Sequence, residues 1–244
     1  MIKAIVTGHS RGLGAAIANE LLARDIAVLG LARRPHADLA AAYPQLLREV
    51  AIDLADAAAL ACWLDSGALR AWLADADAAL LVNNAGMIGP VGTLSAQDSA
   101  GIARAVALNV GAPLVLAAAF ALAGAALPDR RIVHLSSGAA RRAIAGWSVY
   151  CATKAALDHH ARSVAADAEP GLRICSLAPG VIDTDMQAEV RGSTPESFPL
   201  HAQFVEMKRS GALASPADCA RRLVGHVLAD SFGGQPVADL RELD

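Results

Sequence analysis

Lysine and tyrosine are scarce in this sequence. Its 244 residues include two tyrosines and only three lysines, Lys3, Lys154 and Lys208. Lys154 follows Tyr150 by four residues in the alanine-rich segment SVYCATKAAL, residues 148–157. Side chains four residues apart lie on the same face of a helix. By itself this spacing favours an ordinary helix face, so a chemical role for the pair depends on the residues around it.

Charged residues are also few, at 18% of the chain, with a net charge of −3. This balance argues against nucleic acid or an anionic membrane as a partner. The four cysteines show no C-x-x-C or paired metal spacing, and His134, His159 and His160 belong to no metal-ligand constellation. We therefore expect no disulfide framework and no metal. A strand-like run begins at Ile2 in place of a signal peptide, which predicts a cytoplasmic protein.

One uncharged run, residues 110–127, reaches the minimal length of a membrane span. Alanine and glycine dominate this run, VGAPLVLAAAFALAGAAL, and they contribute little to membrane insertion. Its helical pattern also continues backwards through Asn109 to Arg104. We predict a helix buried between a sheet and a partner subunit, and no membrane span.

Strand-like and helix-like segments alternate along the chain. The strand-like runs are KAIVTG, IAVLGLA, REVAIDL, AALLVN, RRIVHLSS, LRICSLAPG and QPVADL. Helical patterns between them include residues 56–74 and about 98–126, and the pattern loosens over 183–214. Repeated βα units predict a parallel sheet covered on both faces. We therefore predict an α/β fold: a single Rossmann-type domain over residues 1–244, with a doubly wound parallel sheet and helices on both faces.

Glycine and polar residues are concentrated where the predicted strands end, and open parallel sheets bind ligands at that edge. The first strand is followed by TGHSRGLG. Glycines let the backbone approach a pyrophosphate, and the N-terminus of the next helix binds it. A βα turn can also carry glycines for structural reasons alone. The residues predicted to bind the dinucleotide here are Gly8, Ser10, Arg11, Gly12, Leu13 and Gly14.

The end of the second strand bears on the choice of cofactor. An acidic residue there would bind a ribose 2′-hydroxyl, but the sequence has Arg33 and Arg34. Two guanidinium groups suit a 2′-phosphate and predict NADP(H) rather than NAD(H), unless they simply lie on an exposed loop. After the third strand, Asp53 and Leu54 are expected near the adenine. Asp53 would accept a hydrogen bond from the adenine amino group, cap the next helix, or both.

Several motifs occur in the order found in short-chain dehydrogenases/reductases: TG-x-x-x-G-x-G, NNAG at 83–86, Asn109, Ser137, Tyr150-x-x-x-Lys154 and PG at 179–180. Each motif is weak alone, but the ordered set is specific, and the chain resembles this family over nearly its whole length. Within the family, SSGAA, GWSVYCATKA, APGVIDTDMQ and the terminal VADL are most similar to the sepiapterin reductases and bacterial benzil reductases.

Reducing a carbonyl needs a hydride donor, a proton donor and a group that polarises the oxygen. Tyrosine has a pKa of about 10, and a nearby ammonium lowers it towards the range that general acid–base catalysis requires. The family resemblance implies that Tyr150 protonates the carbonyl oxygen, while Lys154 lowers the pKa of Tyr150 and binds the nicotinamide ribose. It also implies that Ser137 hydrogen-bonds the substrate oxygen and that Asn109 holds a water in the proton relay. Ser136 is the alternative to Ser137, but strand side chains alternate, so only one of them faces the site.

The resemblance implies further cofactor contacts at two strand ends. NNAG is expected to end the fourth strand and line the cofactor, and the loop after the sixth strand is expected to contact the nicotinamide half. The predicted residues are Asn84, Ala85, Gly86, Pro179, Gly180, Ile182 and Thr184. Thr184 has a simpler alternative role as the cap of a helix.

Residues 186–212, called the lid below, are predicted to cover the site. Trp147, Met186 and Gln187 are candidate substrate contacts, in addition to Ser137 and Tyr150. The alternative for Trp147 and for the lid residues is plain packing against the body of the protein.

Asp239 is the remaining candidate substrate contact. The resemblance implies this role, because the matching aspartate of sepiapterin reductases anchors the pterin ring. A carboxylate can accept two hydrogen bonds from an amino-pyrimidine edge. Related benzil reductases carry the aspartate too, so Asp239 predicts a contact without fixing the substrate.

Together these features predict an NADP-dependent oxidoreductase acting on CH–OH groups. The leading interpretation is an NADPH-dependent carbonyl reductase for a sepiapterin-like ketone or an aromatic diketone such as benzil. The alternatives are a family member acting on another alcohol or ketone, such as a 3-oxoacyl thioester, and a non-catalytic NADP-sensing protein. The resemblance also implies a homodimer, or else a tetramer, formed through the long apolar helix and the Tyr150 helix.

Overall fold

The strands form one parallel sheet in the computed structural model, which describes residues 1–243. The seven described strands are β1 Ile2–Thr7, β2 Ala27–Ala32, β3 Leu47–Ala51, β4 Ala78–Asn83, β5 Asp129–Leu135, β6 Leu172–Ala178 and β7 Val237–Asp239. Their order in the sheet is β3-β2-β1-β4-β5-β6-β7, with parallel pairing throughout. The chain switches direction across the sheet between β1 and β4, which is where open α/β sheets form a ligand crevice.

Helices connect the strands and cover both faces of the sheet. Within residues 1–243 they are α1 Gly12–Leu22, α2 Ala37–Ala42, α3 Ala57–Asp65, α4 Ala68–Leu73, α5 Ser99–Val106, α6 Ala112–Ala123, α7 Ser148–Ala166, α8 Asp185–Arg191, α9 His201–Arg209 and α10 Pro216–Leu228. Side chains of α1 and α10 pack in the core on one face, and those of α3, α4 and α6 pack in the core on the other. This two-sided core confirms the predicted doubly wound α/β fold.

Neighbouring residues of β1 show how the strands serve both cores. Val6 belongs to the cluster with α1 and α10, Ile5 belongs to the cluster with α3 and α6, and both are fully buried. Successive strand side chains point to opposite faces of a sheet. A strand covered on both faces therefore reads as a near-continuous apolar run, as β2 and the centre of β1 do.

Two predicted helices differ in detail from the structure. The helix predicted over residues 56–74 is divided into α3 and α4 by Gly67, whose φ of 76° lies in the left-handed region. The helix predicted over about 98–126 consists of α5, a π-helical turn at Ala107–Gly111, and α6. The short helix α2 is not evident from the sequence pattern.

In the described part of the chain, one helix, Ser99–Ala123, is long and apolar enough to cross a membrane by length and composition alone. Leu116 and Phe120 on one side of it are buried against the sheet. Val115 and Leu122 on the other side are 46% and 71% exposed. The helix therefore has one side in the core of this protein and one apolar side that remains uncovered in a single copy of the chain.

The loosely patterned segment over 183–214 contains α8 and α9. Its two ends are joined, because Ile182 and Ala214 form an isolated parallel bridge and Asp183 pairs with Lys208. The lid is therefore a helical excursion that leaves the body of the protein and returns to it at one place, beyond the end of β6.

Candidate active site

The turn between β1 and α1 is so tight that it leaves no room for a side chain at Gly14. A Cβ on Gly14 would lie 2.2 Å from the Gly8 carbonyl oxygen and 2.4 Å from Asn84 Nδ2. Gly8 itself has a φ of +69°, in the region that glycine adopts without strain. The first backbone N–H groups of α1 follow directly, which is the arrangement that binds phosphate.

Thr7 joins this turn to the end of β4. Its Oγ1 accepts hydrogen bonds from the backbone N–H groups of Asn84 and Ala85, both at 2.9 Å. The side chain of Asn84 donates in return to the Thr7 carbonyl oxygen at 2.9 Å. Thr184 also reaches the turn, because its Cγ2 would be 3.5 Å from a Cβ on Gly12. Predicted cofactor residues from three strand ends therefore lie together, and Thr7, which motif reasoning does not single out, connects two of them.

His9 connects the same turn to β3 through its contact with Glu49. It is fully buried, with its Nε2 2.7 Å from Glu49 Oε1, and that oxygen also accepts a hydrogen bond from the His36 backbone N–H at 2.7 Å. His9 fits because Gly30 has no side chain: a Cβ there would lie 2.5 Å from His9 Nδ1. The sequence gives no signal for this pair, since its members are 40 residues apart.

Arg33 and Arg34 are exposed at the end of β2, and Arg33 lies near enough to Asp53 for its charge to act on it. A hydrogen bond from Arg104 at 2.8 Å is the main cause that holds the pKa of Asp53 below its usual value, and Arg33 adds to it. The alternative in which Asp53 caps the next helix is wrong, because the side chain that caps α3 is that of Asp56.

Asn109, Tyr150 and Lys154 meet at the carboxyl ends of β4 and β5. Tyr150 and Lys154 are both buried on α7, with Lys154 Nζ 5.7 Å from the centre of the Tyr150 ring. Lys154 Nζ donates to the Leu135 carbonyl oxygen at 2.7 Å. A Cβ on Gly86 would lie 3.3 Å from Asn109 Oδ1 and 3.7 Å from Lys154 Nζ. The NNAG backbone, the amide and the ammonium thus share one small volume.

The two serines after β5 point in different directions. Ser137 Oγ accepts a hydrogen bond from the Ala139 backbone N–H at 3.2 Å, and Ser137 also hydrogen-bonds the side chain of Tyr150. Ser136 is buried on the other side, where its hydroxyl donates to Asp158 Oδ1 at 2.6 Å. The structure therefore places Ser137 rather than Ser136 beside the tyrosine.

Burial dominates the proton affinities of the Tyr150–Lys154 pair. It raises the pKa of Tyr150 to about 12, against a smaller lowering by the hydrogen bond with Ser137. It also lowers the pKa of Lys154 to about 8, with the charge of Asp158 opposing this change. The structure thus does not show the expected lowering of the Tyr150 pKa by Lys154, because desolvating a phenolate costs more. Tyr150 keeps its proton at neutral pH, which is the state that a proton donor requires.

Asn109 lies in the π-helical turn, a feature that often marks functional sites. Its Oδ1 accepts from the Met87 backbone N–H at 2.9 Å, and its Nδ2 donates to the Met87 carbonyl oxygen at 2.8 Å. The same Nδ2 lies 3.2 Å from Thr153 Oγ1 on the Tyr150 helix. Asn109 therefore connects the chain after NNAG to α7, and its oxygen stays on the side of Gly86 and Lys154. Thr153 is a contact that motif reasoning misses.

Aromatic side chains of the lid lie against Tyr150 and Trp147. Phe198 stacks on Trp147, with ring centres 4.7 Å apart and planes 6° apart, and Phe204 meets Trp147 edge-on at 5.5 Å. Trp147 meets Tyr150 at 5.5 Å and 75°. All four rings are buried, and Met186 packs against the same cluster. The lid therefore covers the side of Tyr150 that Trp147 borders.

Asp239, at the end of β7, is buried and already paired. Its Oδ1 lies 2.9 Å from Arg241 Nε and its Oδ2 lies 2.7 Å from Arg241 Nη2. These hydrogen bonds are the main cause that lowers the pKa of Asp239. Arg141 Nη1 is 3.9 Å from Asp239, and Arg141 Nε is 3.4 Å from Asp158 on α7. A network of two acids and two arginines thus links Asp239 to the helix of Tyr150, and the sequence pattern does not predict either arginine.

The other predicted residues lie around these groups. Leu54 and Ile182 are buried in the core, and Arg11 pairs with Asp185 at the start of α8 at 3.0 Å. Gln187 Oε1 is buried and has no hydrogen-bond partner within residues 1–243. Partly exposed positions along the site edge are Ser10, Leu13, Pro179, Gly180 and Thr184.

Two histidines, the fully buried His134 and the partly buried His160, lie below the site between β5 and α7. His134 Nδ1 is 3.1 Å from Asn83 Nδ2, and His134 Nε2 is 3.1 Å from His160 Nδ1. Burial, then the charges of His160 and Lys154, lower the pKa of His134 to about 3. Burial also lowers the pKa of His160. The sequence predicts no metal-ligand role for these histidines, but their lowered pKa values make the stability of the fold depend on pH.

The free energy of unfolding is expected to fall as the pH drops below about 6.5, because the unfolded chain then protonates His134 while the folded chain does not. The slope contributed by His134 is up to about 1.4 kcal/mol per pH unit, down to its folded pKa of about 3. Urea denaturation between pH 7.5 and 5 measures the slope. His134→Gln should reduce the slope and the exposed control His159→Gln should not; equal slopes in wild type and His134→Gln would contradict this account.

The parallel sheet and the glycine turn after its first strand define a Rossmann-type protein. Residues 3–194 match the family model described as short chain dehydrogenase. Over 93% of the chain, the sequence is 31% identical to a benzil reductase ((S)-benzoin forming) from Bacillus cereus, of which it covers 94%. It is 33% identical to a sepiapterin reductase from Meriones unguiculatus, with 93% of this chain and 92% of the relative covered.

A solved structure extends these similarities to the fold. A short-chain dehydrogenase/reductase from Burkholderia vietnamiensis is 51% identical, with 100% of this chain and 98% of the other covered and a TM-score of 0.73. The chain belongs to the short-chain dehydrogenase/reductase family of oxidoreductases. The resemblance inferred from the sequence motifs is therefore confirmed, including its similarity to benzil and sepiapterin reductases.

Proposed function

We propose that this protein is an NADPH-dependent carbonyl reductase whose substrate is a ketone of the sepiapterin-like or aromatic 1,2-diketone type. The observation that carries the proposal is the group formed by the buried Tyr150 and Lys154 with the partly buried Ser137 at the carboxyl edge of the sheet. The relatives named benzil reductase and sepiapterin reductase support the two substrate types. A non-catalytic NADP sensor would have no need for a buried tyrosine and lysine held together in this way.

The glycine turn fits a dinucleotide, because Gly14 lets the turn pack closely against Asn84 and no side chain caps the N-terminus of α1. Asn84, Ala85 and Thr184 would border the phosphates and Arg33 and Arg34 the adenosine end. Gly86 and Lys154 would lie beside the nicotinamide ribose. When bound, a reduced nicotinamide cofactor supplies the hydride.

The chain's own residues handle the oxygen and the proton. The Ser137 hydroxyl donates a hydrogen bond to the carbonyl oxygen and orients it toward Tyr150. Tyr150, held protonated by burial, transfers its phenolic proton to that oxygen as negative charge develops there. The Lys154 ammonium stabilises the phenolate that remains, and Asn109, whose side-chain oxygen lies near Gly86 as Lys154 Nζ does, would hold the water that returns a proton.

The residues beside Tyr150 favour a substrate with an apolar surface. Trp147, Phe198 and Phe204 pack on one another in a buried cluster with Tyr150, so the site has an apolar boundary on this side. A 3-oxoacyl thioester on an acidic carrier would instead favour basic residues at the entrance. Arg141 does not serve that purpose, since it donates to the Ala238 carbonyl oxygen at 2.8 Å.

An NADPH-consumption screen tests the proposal. Purified protein with NADPH is expected to reduce sepiapterin or benzil, with kcat/KM at least tenfold higher than with aliphatic ketones or with a 3-oxoacyl thioester. NADPH should also be preferred to NADH. Product identification by chiral chromatography shows that the loss of NADPH comes from reduction of the ketone. If NADPH binds tightly but no carbonyl in the panel is reduced, the sensor alternative replaces this proposal.

We also propose a homodimer in which the long helix and α7 pack against those of a second copy. The exposed apolar side chains Val106, Val115 and Leu122 would then be covered. Light scattering should give the mass of two chains, and Leu122→Glu, which places a charge on this face, should shift the protein towards a monomer.

A further inference from the structure

The carboxylate of Asp239 is occupied by a neighbour from its own chain. Arg241 presents Nε to one oxygen at 2.9 Å and Nη2 to the other at 2.7 Å, while its backbone N–H donates to Oδ1 at 3.0 Å. Asp239 is only 4% exposed, whereas the side chain of Arg241 is 61% exposed. One edge of the guanidinium therefore hydrogen-bonds both oxygens of the carboxylate, and the rest of the side chain lies on the surface.

The position of Arg241 relates this pair to the proposed active site. Asp239 is in register with Ala178 on β6, directly before the Pro179–Gly180 loop. Gly180 has a φ of +87°, and a Cβ there would lie 3.4 Å from Arg241 Cδ, so the arginine stem rests on the loop. Arg141 continues the network from Asp239 to Asp158, whose charge acts on Lys154. The pair thus lies at the strand ends that would border the substrate.

The chemistry of the Arg241–Asp239 contact indicates which class of substrate it excludes. A guanidinium offers two parallel N–H donors across one carbon, and a carboxylate accepts both at once. A 2-amino-pyrimidinone edge, as in a pterin, offers the same pair of donors from its amino group and its ring N–H. A neutral aromatic diketone offers none.

We propose that Arg241 is a specificity-determining residue that occupies Asp239 in place of a donor-bearing substrate edge. This inference rests on the proposed carbonyl reductase function and narrows its substrate class. Wild-type protein selects aromatic ketones without an amidine-like edge, such as benzil, and discriminates against pterins. Because Arg241 is two residues from Asp239 and its backbone N–H also contacts the carboxylate, the internal pair forms without ordering a distant segment. An incoming ring must displace it.

Binding measurements on protein saturated with NADP⁺ test this without relying on turnover. The probes are pterin, which carries the 2-amino group, and lumazine, which carries a 2-oxo group instead. Calorimetry is expected to show that Arg241→Ala binds pterin at least tenfold more tightly than wild type, while lumazine changes by less than threefold. Asp239→Asn added to Arg241→Ala should remove the gain. The control is Arg70→Ala, an exposed arginine on α4, which packs on the other face of the sheet from Leu240; it should behave as wild type.

The outcomes separate this inference from the proposed function. An unchanged or weaker pterin affinity in Arg241→Ala, or an equal gain for lumazine, overturns the role of Arg241 even if benzil is reduced. Where Arg241→Ala does not fold, Arg241→Lys replaces it, since an ammonium cannot present the two parallel donors; a gain of at least threefold for pterin alone is then expected. Absence of any carbonyl reduction by wild type overturns the proposed function, whatever the pterin result.

Discussion

Replacing Tyr150 by phenylalanine is expected to lower kcat for ketone reduction by about 10²–10⁴-fold, the usual contribution of general acid catalysis. The phenyl ring would remain in its contact with Trp147, 5.5 Å away, so the buried cluster should stay packed. What is lost is the proton that burial keeps on Tyr150 at neutral pH. Steady-state kinetics should show kcat and kcat/KM falling by similar factors, because the interaction is made in the transition state.

The chain supplies its own control for this experiment, because Tyr43 is the only other tyrosine in the sequence. Tyr43→Phe, at the end of α2 and away from α7, should leave kcat within a factor of two. Fluorescence titration should show that both variants bind NADPH as wild type does. If Tyr150→Phe keeps more than a tenth of the wild-type kcat, another group donates the proton and the proposed mechanism is wrong.

The sheet and its glycine turn could be predicted because they depend on local sequence. Alternating βα patterns, continuous apolar strands and the closely spaced Gly8, Gly12 and Gly14 each report on their own neighbourhood. The parallel topology then brings the strand ends to one edge, so residues far apart in the chain are predicted to meet there. The grouping of Asn84 with the glycine turn and of Asn109 with Lys154 follows from this geometry.

Contacts between side chains on different strand ends could not be predicted in the same way. Glu49 with His9 and Arg104 with Asp53 join residues 40 and 51 positions apart, and no pattern in either segment indicates its partner. The contact between Arg241 and Asp239 could not be predicted either, although the two residues are only two positions apart, because the spacing does not show that the carboxylate is buried. The same limit applies to the pKa of Tyr150. Whether that pKa is raised or lowered depends on how deeply the side chain is buried, which the Tyr150–Lys154 spacing does not reveal.

These unpredicted contacts also sharpen the proposed cofactor preference. The adenosine end of the predicted site has two nearby carboxylates, Glu49 and Asp53, that could repel a phosphate. His9 and the His36 backbone N–H engage Glu49, and Arg104 engages Asp53. The Arg104 guanidinium thereby offsets the charge of Asp53, and the Glu49 carboxylate already has partners within the protein. Arg33 and Arg34, exposed at the end of β2, then give this corner the positive charge that a 2′-phosphate would meet.

Changing Arg33 and Arg34 to alanine together is expected to weaken NADPH binding by on the order of 10²-fold, since a hydrogen bond to a charged group contributes about 1.5–3 kcal/mol. NADH lacks the 2′-phosphate, so its affinity should change by less than threefold, and the preference of wild type for NADPH should disappear. The control is the double variant Arg70→Ala with Arg221→Ala, two exposed arginines on α4 and α10.

Fluorescence titration at two salt concentrations adds a second test, because screening should weaken NADPH binding more than NADH binding in wild type but not in the Arg33/Arg34 variant. Parallel losses for both cofactors would show that the two arginines support the loop rather than recognise a phosphate.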